Sequence, residues 1–181
     1  MRVFIAINFT NEVKEHLAKT IKDLRLKSVK GSFTRIENLH LTIAFIGEVS
    51  PERIPDIITV LNDRISTRSP ITIEIGGLGK FVRQKEYLYW CGIKDNDELG
   101  RLQKALVNGL KEHHFSVDDK PFKPHITLAR RCVMKQGFEE SRFSKSIPNM
   151  SMRVESISLM KSERIEGRLV YSSLNEVRLQ G

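Results

Sequence analysis

The chain has few of the residues that stabilise secreted or membrane proteins. Two cysteines, Cys91 and Cys132, form no CxxC pair, so we expect two buried thiols rather than a disulfide, a metal site or a nucleophile. No run approaches the roughly 20 apolar residues that a membrane-spanning helix needs. The apolar start MRVFIAINF is short, is typical of a strand and lacks a small-residue cleavage site. We therefore expect a cytoplasmic protein with no membrane association.

Two further absences narrow the functional classes. Acidic residues are outnumbered: 22 Asp and Glu face 30 Lys and Arg, which gives a formal net charge of +8. Excess positive charge attracts polyanions, of which nucleic acid is the commonest, although a generally basic surface is the alternative. The GGLGK segment at Gly76 lacks the spacing and the Ser or Thr of a phosphate-binding P-loop, so no ATP site is predicted.

The composition of the chain and the pattern of its apolar residues predict one α+β domain over residues 1–181, made of two lobes. Hydrophobic residues make up 40% of the chain and charged residues 29%, a balance typical of a folded globular protein. Periodicity and capping signals predict antiparallel strands with helices on the outer faces. The predicted elements are strand 2–9, a helix capped by Thr10 or Asn11 and ending in 27–31, strand 33–35, strand 38–49, a helix from Ser50-Pro51, strands in 71–93 turning near Arg83 to Lys85, helix 95–113, strand 125–132, a polar connection over 133–152 with one short helix, and two closing strands turning at Glu166-Gly167.

Two phrases, HLTIAF from His40 and HITLAR from His125, carry the chemistry. Side chains on a strand alternate between its faces, so His40 with Thr42, and His125 with Thr127, project to the same side. The apolar residues between them face the core. The repeated pattern predicts a duplicated unit that contributes one His-Thr pair from each half.

Two opposed imidazoles can carry out acid–base chemistry on a phosphodiester. Because histidine titrates near pH ~6.5, one ring can take a proton from water while the other gives a proton to the leaving oxygen. The Thr hydroxyls can donate to the non-bridging phosphate oxygens. A metal site is the competing interpretation, but neither motif contains Asp, Glu or Cys, and a third ligand is missing. The other alternative, two structural histidines, is less favoured for a matched pair than for a single motif.

On these motifs the chain resembles the 2H phosphoesterase superfamily, and most closely the RNA 2′,3′-cyclic phosphodiesterases, historically called 2′-5′ RNA ligases. The resemblance also covers MRVFIAINF, PFKPHITLAR and LMKSERIEGRLVYSSL. It implies a bilobal structure with two sheets flanking a V-shaped cleft. It further implies metal-independent hydrolysis of RNA 2′,3′-cyclic phosphate ends to a 2′-phosphate, with His40 as proton donor and His125 as proton acceptor.

Alternatives within and outside this class stay open at this stage. The same residues would serve a phosphodiesterase acting on small cyclic nucleotides, or a 2′-5′ RNA ligase running the reaction backwards. A non-catalytic RNA-binding module is the hypothesis from another class. We expect a monomer, no cofactor, and RNA or oligonucleotide ends with a cyclic phosphate as partners.

Further binding residues are predicted less directly. Arg130 closes the second motif and is a candidate phosphate or base ligand, but strict alternation turns it away from His125 unless the strand bulges. Arg131 has the parity of His125 and competes with it. Four aromatics are candidates for stacking on a base, with burial in the core as the alternative: Phe45, Tyr87, Tyr89 and Trp90. The remaining histidines, His16, His113 and His114, are expected to be structural or on the surface.

Overall fold

The computed structural model describes residues 1–84, 86–118 and 120–181, without the Arg83 side chain. Four α-helices lie in these residues: α1 (Asn11–Leu26), α2 (Ile54–Ile65), α3 (Asp97–Glu112) and α4 (Glu140–Ser146). The strands are β1 (Arg2–Asn8), β2 (Ser28–Phe33), β3 (His40–Glu48), β4 (Ile71–Arg83), β5 (Glu86–Ile93), β6 (His125–Met134), β7 (Met150–Val154), β8 (Ser156–Ile165) and β9 (Arg168–Arg178). None of the described helices is both long and apolar enough to cross a membrane.

The strands form two antiparallel sheets, which confirms the predicted α+β fold. One sheet has the order β3-β1-β8-β9 and the other β2-β6-β5-β4-β7. The two motif strands, β3 and β6, belong to different sheets and approach each other where the sheets meet. Helix α1 packs against β2 and β6, whereas α2 packs against β8, β9 and α3. This arrangement brings the two histidine motifs to the junction between the lobes.

The predicted internal repeat is visible in the strand pairing. In the first half β3 pairs with β1, and α1 follows β1; in the second half β6 pairs with β5, and α3 follows β5. Both helices have 16 residues and a side-chain cap: the Thr10 side chain accepts from Val13 N–H, and the Asn96 side chain accepts from Leu99 N–H. Such caps satisfy donors that the first helical turn leaves unpaired. In each half a strand and a helix thus precede the motif strand, with β2 inserted between α1 and β3 in the first half.

Two sequence predictions need correction. The second strand spans Ser28–Phe33 and begins directly after α1, instead of lying around 33–35. It is an edge strand whose middle four residues are exposed, so it has no apolar alternation to reveal it. The expected connection over 133–152 contains the short helix α4 but also most of β7, another edge strand. The hairpin is confirmed by the pairing of Arg83 with Glu86, and Lys85 lies outside the described residues.

Candidate active site

Each motif histidine is fixed at its Nδ1 atom by a backbone carbonyl two residues earlier in the chain. His40 Nδ1 lies 2.8 Å from the Asn38 carbonyl oxygen, and His125 Nδ1 lies 2.7 Å from the Lys123 carbonyl oxygen. A carbonyl only accepts, so Nδ1 must carry the proton in both rings. The Nε2 atom is then left as the reactive end of each imidazole. Nε2 of His40 lies 3.0 Å from Thr42 Oγ1.

The segment that supplies the Asn38 carbonyl is anchored to neighbouring strands. A short 3₁₀ turn, Ile36–Asn38, precedes β3, and the Asn38 side chain donates to the Leu169 carbonyl of β9 at 2.9 Å. Thr34 donates from its hydroxyl to the Thr127 carbonyl at 2.8 Å, and from its N–H to the Leu128 carbonyl at 2.9 Å. Side-chain and backbone bonds of this kind restrict the orientation of the catalytic groups they support.

Both motif strands contain a bulge at the same place in the motif. Between β1 and β3 the pairing steps from Thr42 to Ala44, and between β5 and β6 it steps from Thr127 to Ala129. The extra residue makes two consecutive side chains point into the core: Ile43 with Ala44, and Leu128 with Ala129, all at most 4% exposed. The following residue in each strand is thereby returned to the histidine side.

The bulge decides between the two candidate arginines. Arg130 lines the same cavity as His40, Thr42, His125 and Thr127, although strict alternation of side chains predicted that it points away from His125. Arg131, which has a positive φ of 51°, lines a separate surface hollow with Lys30 and Glu86. The predicted orientation of Arg131 toward the side of His125 is therefore wrong, because β6 bulges before this residue.

The central cavity has a volume of about 620 Å³. Three arginines, Arg35, Arg130 and Arg168, contribute to its wall, together with both motif histidines and both motif threonines. No carboxylate is among the described residues that line it. A concave site with converging guanidinium, hydroxyl and imidazole groups is suited to an anionic ligand such as a phosphate ester.

The surroundings favour the neutral form of both rings in the free protein. Burial lowers the pKa of His40 below its usual value, the Asn38 carbonyl opposes that shift, and the positive charge of Arg130 adds to it. Burial also lowers the pKa of His125, with opposition from the Lys123 carbonyl and a further lowering by Arg130. A bound phosphate anion would act in the opposite direction, since a nearby negative charge stabilises the imidazolium. Binding of the phosphate can therefore keep one of the two rings protonated, as an acid–base pair requires.

The sequence also matches the model of a known protein family. The family model described as the 2′-5′ RNA ligase superfamily matches residues 13–166. The chain belongs to this superfamily. The match includes both histidine motifs and all four helices apart from the first two residues of α1.

Curated relatives within the superfamily align along most of the chain. An RNA 2′,3′-cyclic phosphodiesterase of Thermotoga maritima is 30% identical over 182 residues and covers 100% of this chain and 97% of its own length. A protein of the same name from Escherichia coli is 29% identical, with coverage of 96% and 93%. Among solved structures, a Thermus thermophilus protein superposes with a TM-score of 0.83 at 26% identity, over 100% and 99% of the two chains. E. coli LigT complexed with 3′-AMP gives a TM-score of 0.82 at 25% identity, over 99% and 98%.

The four candidate stacking aromatics have different surroundings. Tyr89 is 1% exposed and belongs to the core. Trp90 packs beside His125, with the ring centroids 6.0 Å apart, and Tyr87 packs beside Tyr89. Phe45 is 41% exposed and lines a second cavity next to His40. Phe45 is therefore exposed and lines a cavity beside His40, whereas Tyr87 and Trp90 are half-buried.

Sequence reasoning missed the rings that hold the two imidazoles. Phe4 and Tyr171 pack against His40 at centroid distances of 4.9 and 5.1 Å, and Phe81 packs edge-on against His125 at 5.0 Å. These aromatics come from strands distant in sequence and carry no motif. The residues at 32–35 and 168–169 that line the cavity also belong to no motif and were missed.

The two cysteines lie outside the cleft. Cys91 and Cys132 are free and buried, and burial raises their pKa values to about 12 and about 11. Such values correspond to protonated, unreactive thiols near neutral pH. Within the described part of the chain, no three His, Cys, Asp or Glu residues form a group able to hold a metal ion.

Proposed function

We propose that this protein hydrolyses the 2′,3′-cyclic phosphate at the 3′ end of RNA to a 2′-phosphomonoester, by acid–base catalysis with two histidines and without a metal. The observation that carries the proposal is one cavity lined by His40, His125 and three arginines, with the Nδ1 atom of each histidine held by a carbonyl. The full-length similarity to relatives named RNA 2′,3′-cyclic phosphodiesterase supports the same substrate.

In the proposed reaction the two rings act on opposite sides of phosphorus. Neutral His125 accepts a proton at Nε2 from water, whose oxygen forms the new bond to phosphorus. Protonated His40 donates its Nε2 proton to the ribose O3′ as the P–O3′ bond breaks, which leaves the phosphate on O2′. Each ring ends with the protonation state in which the other began, and proton exchange with solvent restores the pair.

The remaining cleft residues stabilise the phosphate. Thr42 and Thr127 donate hydroxyl hydrogen bonds to its non-bridging oxygens, and Arg130 compensates the negative charge that develops on them. The short distance between Thr42 Oγ1 and His40 Nε2 lets one hydroxyl contact both the proton donor and the phosphate.

We assign the activity to a cytoplasmic monomer that acts as one domain over residues 1–181. Both histidine–threonine pairs that line the central cavity come from one chain, which supports a monomer as the active unit. The two free, buried thiols are consistent with a reducing compartment.

The experiment incubates purified protein with an oligonucleotide that ends in a 2′,3′-cyclic phosphate, in the presence of EDTA, and identifies the product isomer by ³¹P NMR. We expect the 2′-phosphate, with turnover lost in His40→Ala and in His125→Ala. His16→Ala, a substitution of an exposed helix histidine, is the matched control and keeps full activity. Binding without hydrolysis would favour an RNA-binding module, and normal turnover in both cleft variants would refute the mechanism.

A further inference from the structure

A second cavity of about 640 Å³ adjoins the central one on the His40 side. The walls of the two cavities share five residues: His40, Thr42, Arg130, Leu169 and Tyr171. Beyond these residues the second cavity runs along β3 and β8, and His125 is not among the described residues that line it. We name it the Arg2–Phe45 groove, after the two residues that face each other in it.

The Arg2–Phe45 groove offers both an aromatic surface and positive charge. The bulge in β3 directs Phe45 to this side, where the residue is 41% exposed and the Arg2 guanidinium carbon lies over one face of its ring, 4.9 Å from the ring centroid. Arg2 and Arg164 add positive charge, whereas Lys161 pairs with Glu163 at 2.6 Å and the N-terminal ammonium pairs with Glu48 at 3.2 Å. An open aromatic ring in a basic groove is the combination that single-stranded nucleic acid sites use, because bases stack on the ring while cations follow the backbone.

The chemistry of the proposed reaction indicates which part of the RNA would reach this groove. Water attacks from the side of His125, and the ribose oxygen leaves toward His40. The sugar, and with it the rest of the RNA strand, must therefore lie on the His40 side of the phosphate. The groove that continues from His40 and does not reach His125 extends on that side.

We infer that the Arg2–Phe45 groove binds the second nucleotide from the 3′ end of the RNA, with its base stacked on Phe45 and the linking phosphate near Arg2. The inference rests on the proposed function, because it takes the positions of water and leaving group from that mechanism. It makes the protein selective for oligonucleotide ends over mononucleoside cyclic phosphates.

The test measures kcat/KM for a dinucleotide ending in a 2′,3′-cyclic phosphate and for the corresponding mononucleoside 2′,3′-cyclic phosphate. Because stacking of one base on an aromatic side chain contributes enough to change affinity roughly 5- to 150-fold, the wild-type ratio should favour the dinucleotide by a factor in that range. Phe45→Ala should bring the ratio close to one, whereas Phe45→Tyr, which keeps the aromatic face, should restore it. Leu174→Ala removes a side chain of similar exposure, 38%, outside both cavities and should leave the ratio at the wild-type value.

A binding measurement separates failure of the groove from failure of the proposed function. Dissociation constants of the dinucleotide and the mononucleotide 2′-phosphates are measured by competition against a fluorescein-labelled dinucleotide, for wild type and Phe45→Ala. If neither cyclic substrate is hydrolysed, the proposed function fails, and these constants alone decide the inference. Equal affinities for the two ligands in the wild type, or an unchanged affinity ratio in Phe45→Ala, would overturn it.

Salt dependence gives an independent readout of the phosphate contact. Each phosphate contact on a single strand contributes a slope of about 0.7 in log affinity against log salt. Arg2→Gln should therefore lower the slope for the dinucleotide by about that amount and lower the slope for the mononucleotide less. Equal changes for both ligands would contradict the placement of the linking phosphate at Arg2.

Discussion

Replacement of Arg130 by Gln tests the electrostatics of the cleft most directly. Arg130 lines both cavities, and its positive charge lowers the pKa values of His40 and His125 after the larger effect of burial. A charge-assisted hydrogen bond to phosphate contributes about 1.5–3 kcal/mol. Its loss corresponds to a decrease of roughly 10- to 150-fold in kcat/KM at the optimum pH.

The pH profile of Arg130→Gln has an expected direction as well as a magnitude. In the proposed mechanism the acid limb of kcat/KM follows His125, which must be neutral, and the alkaline limb follows His40, which must be protonated. Loss of the Arg130 charge stabilises both imidazolium ions, so both pKa values rise. The whole bell-shaped profile should move to higher pH while its width changes little.

Arg131→Gln is the matched control because it makes the same change in charge one residue further along β6. Arg131 lies in a different hollow, with Lys30 and Glu86, so its replacement should leave both the rate and the profile near wild type. The assay is the pH dependence of kcat/KM for a mononucleoside 2′,3′-cyclic phosphate. Equal losses in the two variants, or an Arg130→Gln profile with unmoved limbs, would refute the reasoning.

Three further predictions concern the histidines. His40→Ala and His125→Ala should each lower kcat by about 10²- to 10⁴-fold. Because the two rings act as a unit, the loss of kcat in the double variant should be much smaller than the product of the two single losses. A multiplicative loss in steady-state assays would contradict this prediction. Trp90, the only tryptophan in the chain, lies beside His125. The fluorescence of Trp90 in the wild type should therefore change with pH, with a midpoint below pH 6.5. The same change should be seen in His16→Gln and should be absent in His125→Gln. Since both imidazole pKa values are lowered in the folded state, the unfolded chain binds more protons below about pH 6.5, and the stability that the two rings contribute is lost as pH falls. The thermal midpoint of His40→Gln/His125→Gln should accordingly decrease less than that of the wild type between about pH 7.5 and 5, and an equal decrease would argue against lowered pKa values.

The elements that the sequence predicted well are those with local signals. Helices α1 and α3 have a capping side chain at the first turn and apolar residues at helical spacing, so their limits differ little from the predicted ones. The family of the chain followed from the two motifs, and the family model and a full-length relative confirm it. The edge strands β2 and β7 escaped prediction because a strand that buries little shows little periodicity.

The sequence also predicted the part of the candidate site that depends on a local signal. His40 with Thr42, and His125 with Thr127, share a face because two-residue alternation is a property of any short extended segment. Arg130 was predicted as a candidate ligand, but its orientation could not be predicted, since a bulge depends on how the neighbouring strand pairs and not on the strand's own sequence. The Ala that follows each motif, Ala44 and Ala129, occupies the second buried position of the bulge.

The amino-acid sequence by itself determined two strands that each present an imidazole and a hydroxyl on one side, since that spacing acts over a few residues of backbone. Only the tertiary structure decided that the two strands adjoin, that Phe4, Tyr171 and Phe81 hold the rings, and that a groove containing Arg2 and Phe45 continues from His40. Contacts between residues so far apart in sequence depend on how the sheets pack and where the bulges turn the chain. Neither the packing of the sheets nor the position of the bulges can be predicted from a local sequence pattern.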